Sequence, residues 1–248
     1  MRIIILCNPR LDTFQQEVLR PILDDRTIEV VAALVDCRPR ASAGSRFLKN
    51  LKRGRGGYML VMLWERFRAE KEPTVPATEF FSDRGIAAFP EQDPYNDAVM
   101  QRLRWLQAES MVLVGGFGIV KEPLLSLVPG GILSYHHGDM RKYRGQPVGF
   151  WELYRGEREI GLTVQRLGPS IDKGIPIVEK KIPITRQDNV RTLRTKAMQE
   201  SAPMMHEALR RTQNPGFIPA VIADYGPLYT LPNLRQFLFL QLKLFFRK

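Results

Sequence analysis

The sequence predicts an α/β fold with a mainly parallel sheet and a helical C-terminal appendage. Three observations lead there. Short apolar runs bounded by turn residues, Arg2 to Cys7, Ile28 to Val35, Ser110 to Val114 and Gly131 to Tyr135, read as buried strands. A helical stretch separates the first two, and strand–helix–strand is the order that gives right-handed parallel pairing. With 248 residues, 44% hydrophobic and 25% charged, the chain is long enough for one substantial core and ordinary enough to be globular.

After the first strand, Asn8-Pro9 breaks the run, and Asp12 or Thr13 caps a helix to about Leu23. No G-x-G-x-x-G turn follows that strand, which argues against a dinucleotide site. Residues 38–72 form a basic insertion around Gly54 to Gly57. It reads either as a basic lid or substrate-binding insertion, or as a helical hairpin covering a sheet face. Gly85 to Ala88 reads as a short edge strand. Asp93, Pro94 and Asn96 then supply turn and cap chemistry for a helix through Leu106.

The strand at Ser110 ends in Gly115-Gly116-Phe117-Gly118, glycines that a tight strand-to-helix turn also explains. Glu122 to Leu127 reads as a short helix stopped by Pro129-Gly130. Val178 to Ile184 reads as a strand and Val190 to Arg211 as one long helix, with His206 a structural or surface residue on it. The final helix carries Leu234, Phe237, Leu238, Leu240, Leu242, Leu244, Phe245 and Phe246, too many apolar residues for one narrow stripe. It can pack back on the domain, dock on a partner subunit such as a second copy in a homodimer, or make peripheral contact with an acidic membrane face.

The formal net charge of +11 suits an anionic partner, or describes a solvated basic face. Cys7 and Cys37 lack metal-ligand spacing and read as buried reduced thiols. No apolar run reaches the ~20 residues of a membrane span, and the N-terminus has no signal-peptide pattern, so the expected location is cytoplasmic.

Two of the three histidines, His136 and His137, end the Gly131 strand, and a lone acid, Asp172, follows between Ile171 and Lys173. A His with a distant carboxylate is the minimum equipment for general acid/base work. The frame around them, Gly131, His136, Tyr143-Arg144-Gly145, Pro147, Gly156-Glu157, Gly161-Leu162-Thr163 and Asp172-Lys173-Gly174, resembles the core of the folate-dependent formyltransferases without a gap. That family comprises the methionyl-tRNA, glycinamide-ribonucleotide and amino-sugar N-formyltransferases.

The resemblance implies a Rossmann-like formyltransferase fold, with a catalytic domain over residues 1–188 and a helical appendage over 189–248. It implies formyl transfer from 10-formyltetrahydrofolate to a small-molecule amine, with His136 and Asp172 as catalytic residues and no metal. Ser134 stands where the family has an Asn, and a water or His137 would fill the space an asparagine amide leaves. Gly115, Gly116, Phe117 and Gly118, with Gly168 and Ile171, would line the folate pocket.

The helical, apolar segment after Asp188 argues against a tRNA-gripping domain. It resembles the amino-sugar enzymes, so a nucleotide-linked amino sugar is the expected acceptor. A methionyl-tRNA formyltransferase-like activity, or a noncatalytic binding protein that lost the Asn, are the alternatives.

Overall fold

A computed structural model describes residues 1–39, 44, 51 and 72–247; the basic insertion expected at 38–72 lies almost entirely outside them. The chain opens with β1 (Arg2–Cys7), β2 (Arg10–Leu11), α1 (Thr13–Asp24) and β3 (Glu29–Asp36). Asp12 starts α1 with a reciprocal cap: its carboxylate accepts from the Gln15 N–H, and the Gln15 side chain accepts from the Asp12 N–H. There follow β4 (Val75–Pro76), α2 (Ala77–Ser82), β5 (Ala88–Glu91), α3 (Asp97–Trp105), β6 (Ser110–Leu113) and β7 (Ile132–His136). The rest comprises β8 (Arg144–Gly145), α4 (Phe150–Arg155), β9 (Glu159–Arg166), β10 (Ile175–Pro183), α5 (Val190–Ser201), α6 (Met204–Thr212), β11 (Leu228–Tyr229) and α7 (Leu234–Phe246).

Seven strands make one sheet in the order β10-β9-β7-β6-β1-β3-β5. The run from β7 to β5 is parallel, β9 is antiparallel to β7, and β10 is antiparallel to β9. Both faces are covered, so the central strands are largely apolar, with Ser134 and His136 as exceptions at the carboxyl half of β7. Ile3, Ile5 and Cys7 of β1 face a core shared with α1, α5 and α6, while Ile4 and Leu6 face a second core with α3. This is the α/β, Rossmann-like architecture that the sequence predicts, with a helical C-terminal segment. That segment packs where the sheet needs cover: α6 lies against β10, β9 and β7, and Leu240 of α7 is fully buried in the same core. His206 on α6 meets Asp25 at the end of α1 at 2.8 Å. Cys7 is buried, and burial pushes its thiol up to about 12; Cys37 is only partly buried, and both are free.

Three local expectations change. The strand expected from Gly85 begins only at Ala88, because Gly85 (φ +69°) closes the turn after α2 with its N–H on the Ser82 carbonyl. The helix expected at Glu122 to Leu127 is a run of turns. The Leu125 N–H reaches the Lys121 carbonyl, but Pro123 has no N–H and the Leu127 N–H turns back to Leu124. The long helix expected over Val190 to Arg211 is split into α5 and α6 at Pro203, whose ring cannot continue the ladder of the preceding turn.

The carboxyl ends of β6 and β7 emerge side by side, with Leu113 beside Ser134. Gly161 of β9 lies directly under the loop that leaves β7. A Cβ there would sit 2.7 Å from the Asp139 nitrogen and 2.9 Å from its Cα, both backbone atoms. Gly161→Ala is therefore expected to displace that loop and cost about 1–3 kcal/mol in urea unfolding. A loss below about 0.5 kcal/mol would show that the loop yields freely.

Candidate functional site

Strand alternation puts Ser134 and His136 on one face of β7, and Tyr135 and His137 on the other. The antiparallel register sets Ser134 opposite Gln165 and His136 opposite Thr163, so these polar side chains share one face at the carboxyl end of β7. His136, Thr163 and Gln165 are buried, and buried polar groups must find partners. Gln165 Oε1 accepts from the Gly174 N–H at 2.9 Å, and its amide nitrogen lies 3.5 Å from Asp172 Oδ1. Thr163 donates to the Gly138 carbonyl at 3.4 Å. His136 Nε2 is 2.8 Å from the Tyr143 carbonyl, which only accepts, so that nitrogen carries a proton. Its Nδ1 lies 3.5 Å from Asp172 Oδ2.

Asp172 reaches this position from the β9–β10 loop, which doubles back over the sheet. Its φ of +48° is a left-handed conformation that Asp tolerates better than most residues. The Gly145 N–H donates to Asp172 Oδ2 at 2.8 Å. Arg144 braces the arrangement, donating to the Ile171 carbonyl at 2.9 Å and the Gly226 carbonyl at 2.6 Å, while the Tyr225 hydroxyl donates to the Gly174 carbonyl at 2.9 Å. β8 and β11 pair in parallel alongside, so residues 225–229 strap the β7–α4 and β9–β10 loops together.

The electrostatics follow from this geometry. Burial opposes a charge on His136, but the hydrogen bond and charge of Asp172, with the Tyr143 carbonyl and Glu152, outweigh it and hold the imidazole above its ordinary range. Burial likewise raises Asp172, yet His136, the Gly145 N–H and Gln165 more than offset it and hold the carboxyl below its usual range. Glu152, buried in α4, is pushed up to about 7 by burial. Nearby, Tyr143 donates from its hydroxyl to Glu157 at 2.9 Å.

The β6 corner is held differently. Gly116, Phe117 and Gly118 have φ of +78°, +54° and +57°. A Cβ at Gly115 would displace the side-chain amides of Gln15 and Asn8. The Phe117 N–H donates to Asp36 at 2.8 Å, and Arg38 grips both the Asp36 carboxylate and the Phe117 carbonyl. The Arg38 hydrogen bonds hold Asp36 below the ordinary carboxylate range.

The structure thus brings Ser134, His136 and Asp172 together and sets the Gly115 to Gly118 corner at the neighbouring strand end. A Cβ on Gly168 would lie 3.1 Å from the Lys173 carbonyl oxygen, within the Asp172 loop, while the Ile171 side chain is exposed. His137 does not join Ser134. It stacks on Tyr135 and shares a 2.8 Å hydrogen bond with Ser201 on the opposite face; burial, His136 and Arg194 bring its pKa down to about 4. Gln165, Glu152 and Asp36 were not evident as site residues from sequence. The available signals were a Gln in an otherwise apolar strand and an acid inside Phe150-Trp151-Glu152-Leu153.

Comparison with known proteins adds a family frame. A family model described as Formyl transferase matches residues 65–209. The methionyl-tRNA formyltransferase of Caldanaerobacter subterraneus subsp. tengcongensis is 28% identical over 171 residues, 67% of this chain and 55% of that protein. That of Trichodesmium erythraeum is 24% identical over 232 residues, 92% of this chain and 61% of that protein. The chain spans little more than half the length of these curated relatives. Among solved structures, glycinamide ribonucleotide transformylase 1 from Symbiobacterium toebii shares the fold at TM-score 0.60 and 20% identity, over 90% of this chain and 94% of that one. A sugar N-formyltransferase from a Shewanella species does so at TM-score 0.62 and 12% identity, over 97% and 86%.

The His136–Asp172 pair makes stability depend on pH in a defined direction. The raised His136 contributes fully below its ordinary 6.5, and the contribution is lost as pH rises through its folded value. The lowered Asp172 contributes fully above its ordinary 3.8, and the contribution is lost as pH falls through its folded value. The stability advantage over Asp172→Asn is expected to be greatest between about pH 4 and pH 6.5 and to shrink on both sides. Denaturant unfolding across pH checks this, and a flat difference would show that the pair is not coupled.

Proposed function

The chain belongs to the formyl transferase family, and on that footing we propose that it moves a formyl group from 10-formyltetrahydrofolate to an amine, with a nucleotide-linked amino sugar as acceptor. The observation that carries this reading is the His136–Asp172 pair beside Ser134 at the carboxyl end of β7, inside the family match. Carboxyl ends of parallel strands are where such sheets place ligands.

10-Formyltetrahydrofolate, when bound, supplies the activated formyl group. The Gly115 to Gly118 corner fits a flat heterocycle held by backbone groups: its left-handed residues turn the main chain sharply, and no atom of the described residues would lie within 4 Å of a Cβ at Gly118. Gly168 and Ile171 would close the opposite side through the Asp172 loop.

Asp172 is the more exposed member of the pair, with 21% of its side chain accessible against 5% for His136. It therefore meets the amine, and His136 behind it fixes its orientation. A proton leaving the amine passes to the Asp172–His136 pair and returns to the departing nitrogen, so the protein gains no net proton. The Ser134 hydroxyl is partly exposed and has no hydrogen-bond partner among the described residues. It can donate to a carbonyl oxygen as that oxygen gains charge, the role of the Asn in the resembled family. The net charge of +11 suits a diphosphate-bearing acceptor.

One observation favours a second reading, an amine carried on tRNA: the curated relatives above are methionyl-tRNA formyltransferases. Steep salt dependence of tRNA binding would identify that acceptor.

The test begins with calorimetry of a stable folate analogue, followed by formylation assays on amino-sugar nucleotides. Saturable folate binding is expected, and His136→Ala and Asp172→Asn are expected to lower kcat by about 10²–10⁴. Absence of folate binding at millimolar ligand, or full activity in both variants, would overturn the reading.

A further inference from the structure

Helix α7 is apolar on both faces. Inward, Phe237, Leu240 and Leu244 pack on the core. Outward, Leu234, Leu238, Phe239, Leu242, Phe245 and Phe246 are 41 to 81% exposed. Their spacing of three and four residues makes a continuous stripe along the helix. A surface helix ordinarily puts its charges there instead. Here the cation that could do so is turned inward: Lys243 Nζ donates to the Leu153 carbonyl at 3.2 Å and the Tyr154 carbonyl at 2.9 Å, at the carboxyl end of α4. The outer face is left with Arg235 and Gln241 as its polar residues.

Exposed apolar stripes of this kind mark a surface that something covers. The charge of the segment says what. After Asp224 the chain has no acid, and it has four bases, Arg235, Lys243, Arg247 and Lys248. Arg155, next to the Gly156 against which Lys243 sits, is exposed beside the helix. A second copy would bring like charge to like charge at a net +11 each. An anionic lipid surface complements both the stripe and its flanking cations. At 13 residues the helix is about 20 Å long and too short to span a bilayer. No helix among the described residues is long and apolar enough to do so.

We propose that the outer face of α7 docks on an anionic lipid surface, the helix lying in the plane of the interface. Leu238, Leu242, Phe245 and Phe246 enter the acyl boundary while Arg235 and Arg247 meet the headgroups.

Co-sedimentation of the full chain with phosphatidylcholine vesicles, with and without phosphatidylglycerol, tests this. Binding is expected only where phosphatidylglycerol is present, and it should weaken as salt rises. Combined Leu242→Ser, Phe245→Ser and Phe246→Ser should weaken it about tenfold or more, with thermal melting as the check on folding. If that variant does not fold, Arg235→Gln with Arg247→Gln must show the same direction. No binding to phosphatidylglycerol vesicles, or binding unchanged in a folded variant, would overturn the proposal. So would a dimer in solution that the serine substitutions convert to monomer, because the face would then be a subunit interface.

Discussion

A histidine withdrawn from water, with a partner at each ring nitrogen, is the constraint around which this molecule is arranged. Burial alone would lower the pKa of His136, and it is raised instead because partners are brought to both ring nitrogens. One partner is a backbone carbonyl, at Tyr143, which fixes the ring orientation without adding a titrating group. The other is Asp172, which must itself be stabilised as an anion in a partly buried place. The Gly145 N–H and the Gln165 amide supply that stabilisation, so the two charges are settled by two different loops and two strands.

Those loops have little regular structure of their own and are held by what crosses them. The strap of residues 225–229 supplies the crossing. It pairs with Arg144 and Gly145, accepts from the Arg144 guanidinium, and approaches so closely that a side chain on Gly145 or Gly226 would collide with backbone. The C-terminal segment therefore does more than cover the sheet. A site in the first three quarters of the chain draws its geometry from residues near the end. Through α7 and the Lys243 contacts on α4, the same segment links the interior of the domain to an apolar outer face.

The two adjacent histidines show how much the alternation of a strand decides. His136 and His137 are chemically identical, yet one is raised above its ordinary range and the other is pushed down to about 4. The difference lies in the face each occupies. One face offers a carboxylate and a carbonyl. The other offers only Tyr135 and Ser201 as neighbours, and there burial, with the charges of His136 and Arg194, disfavours a proton.

The sequence by itself determined what depends on near neighbours. Apolar runs gave β1, β3, β6 and β7 to within a residue or two, Asp12 or Thr13 announced the cap of α1, and the frame from Gly131 to Gly174 placed His136 and Asp172 in one motif. Register, burial and long-range partners were decided only by the tertiary structure. It assigned Gln165 to Asp172 and Gly174, bound Asp36 and Arg38 to the Phe117 corner, excluded His137 from the Ser134 face and turned Lys243 inward. It also split a helix that periodicity had joined, at Pro203. The reason is physical. Hydrophobic periodicity and capping act over a few residues and leave a local trace. A polar side chain's partner is whichever distant group the packed sheet leaves within hydrogen-bonding reach.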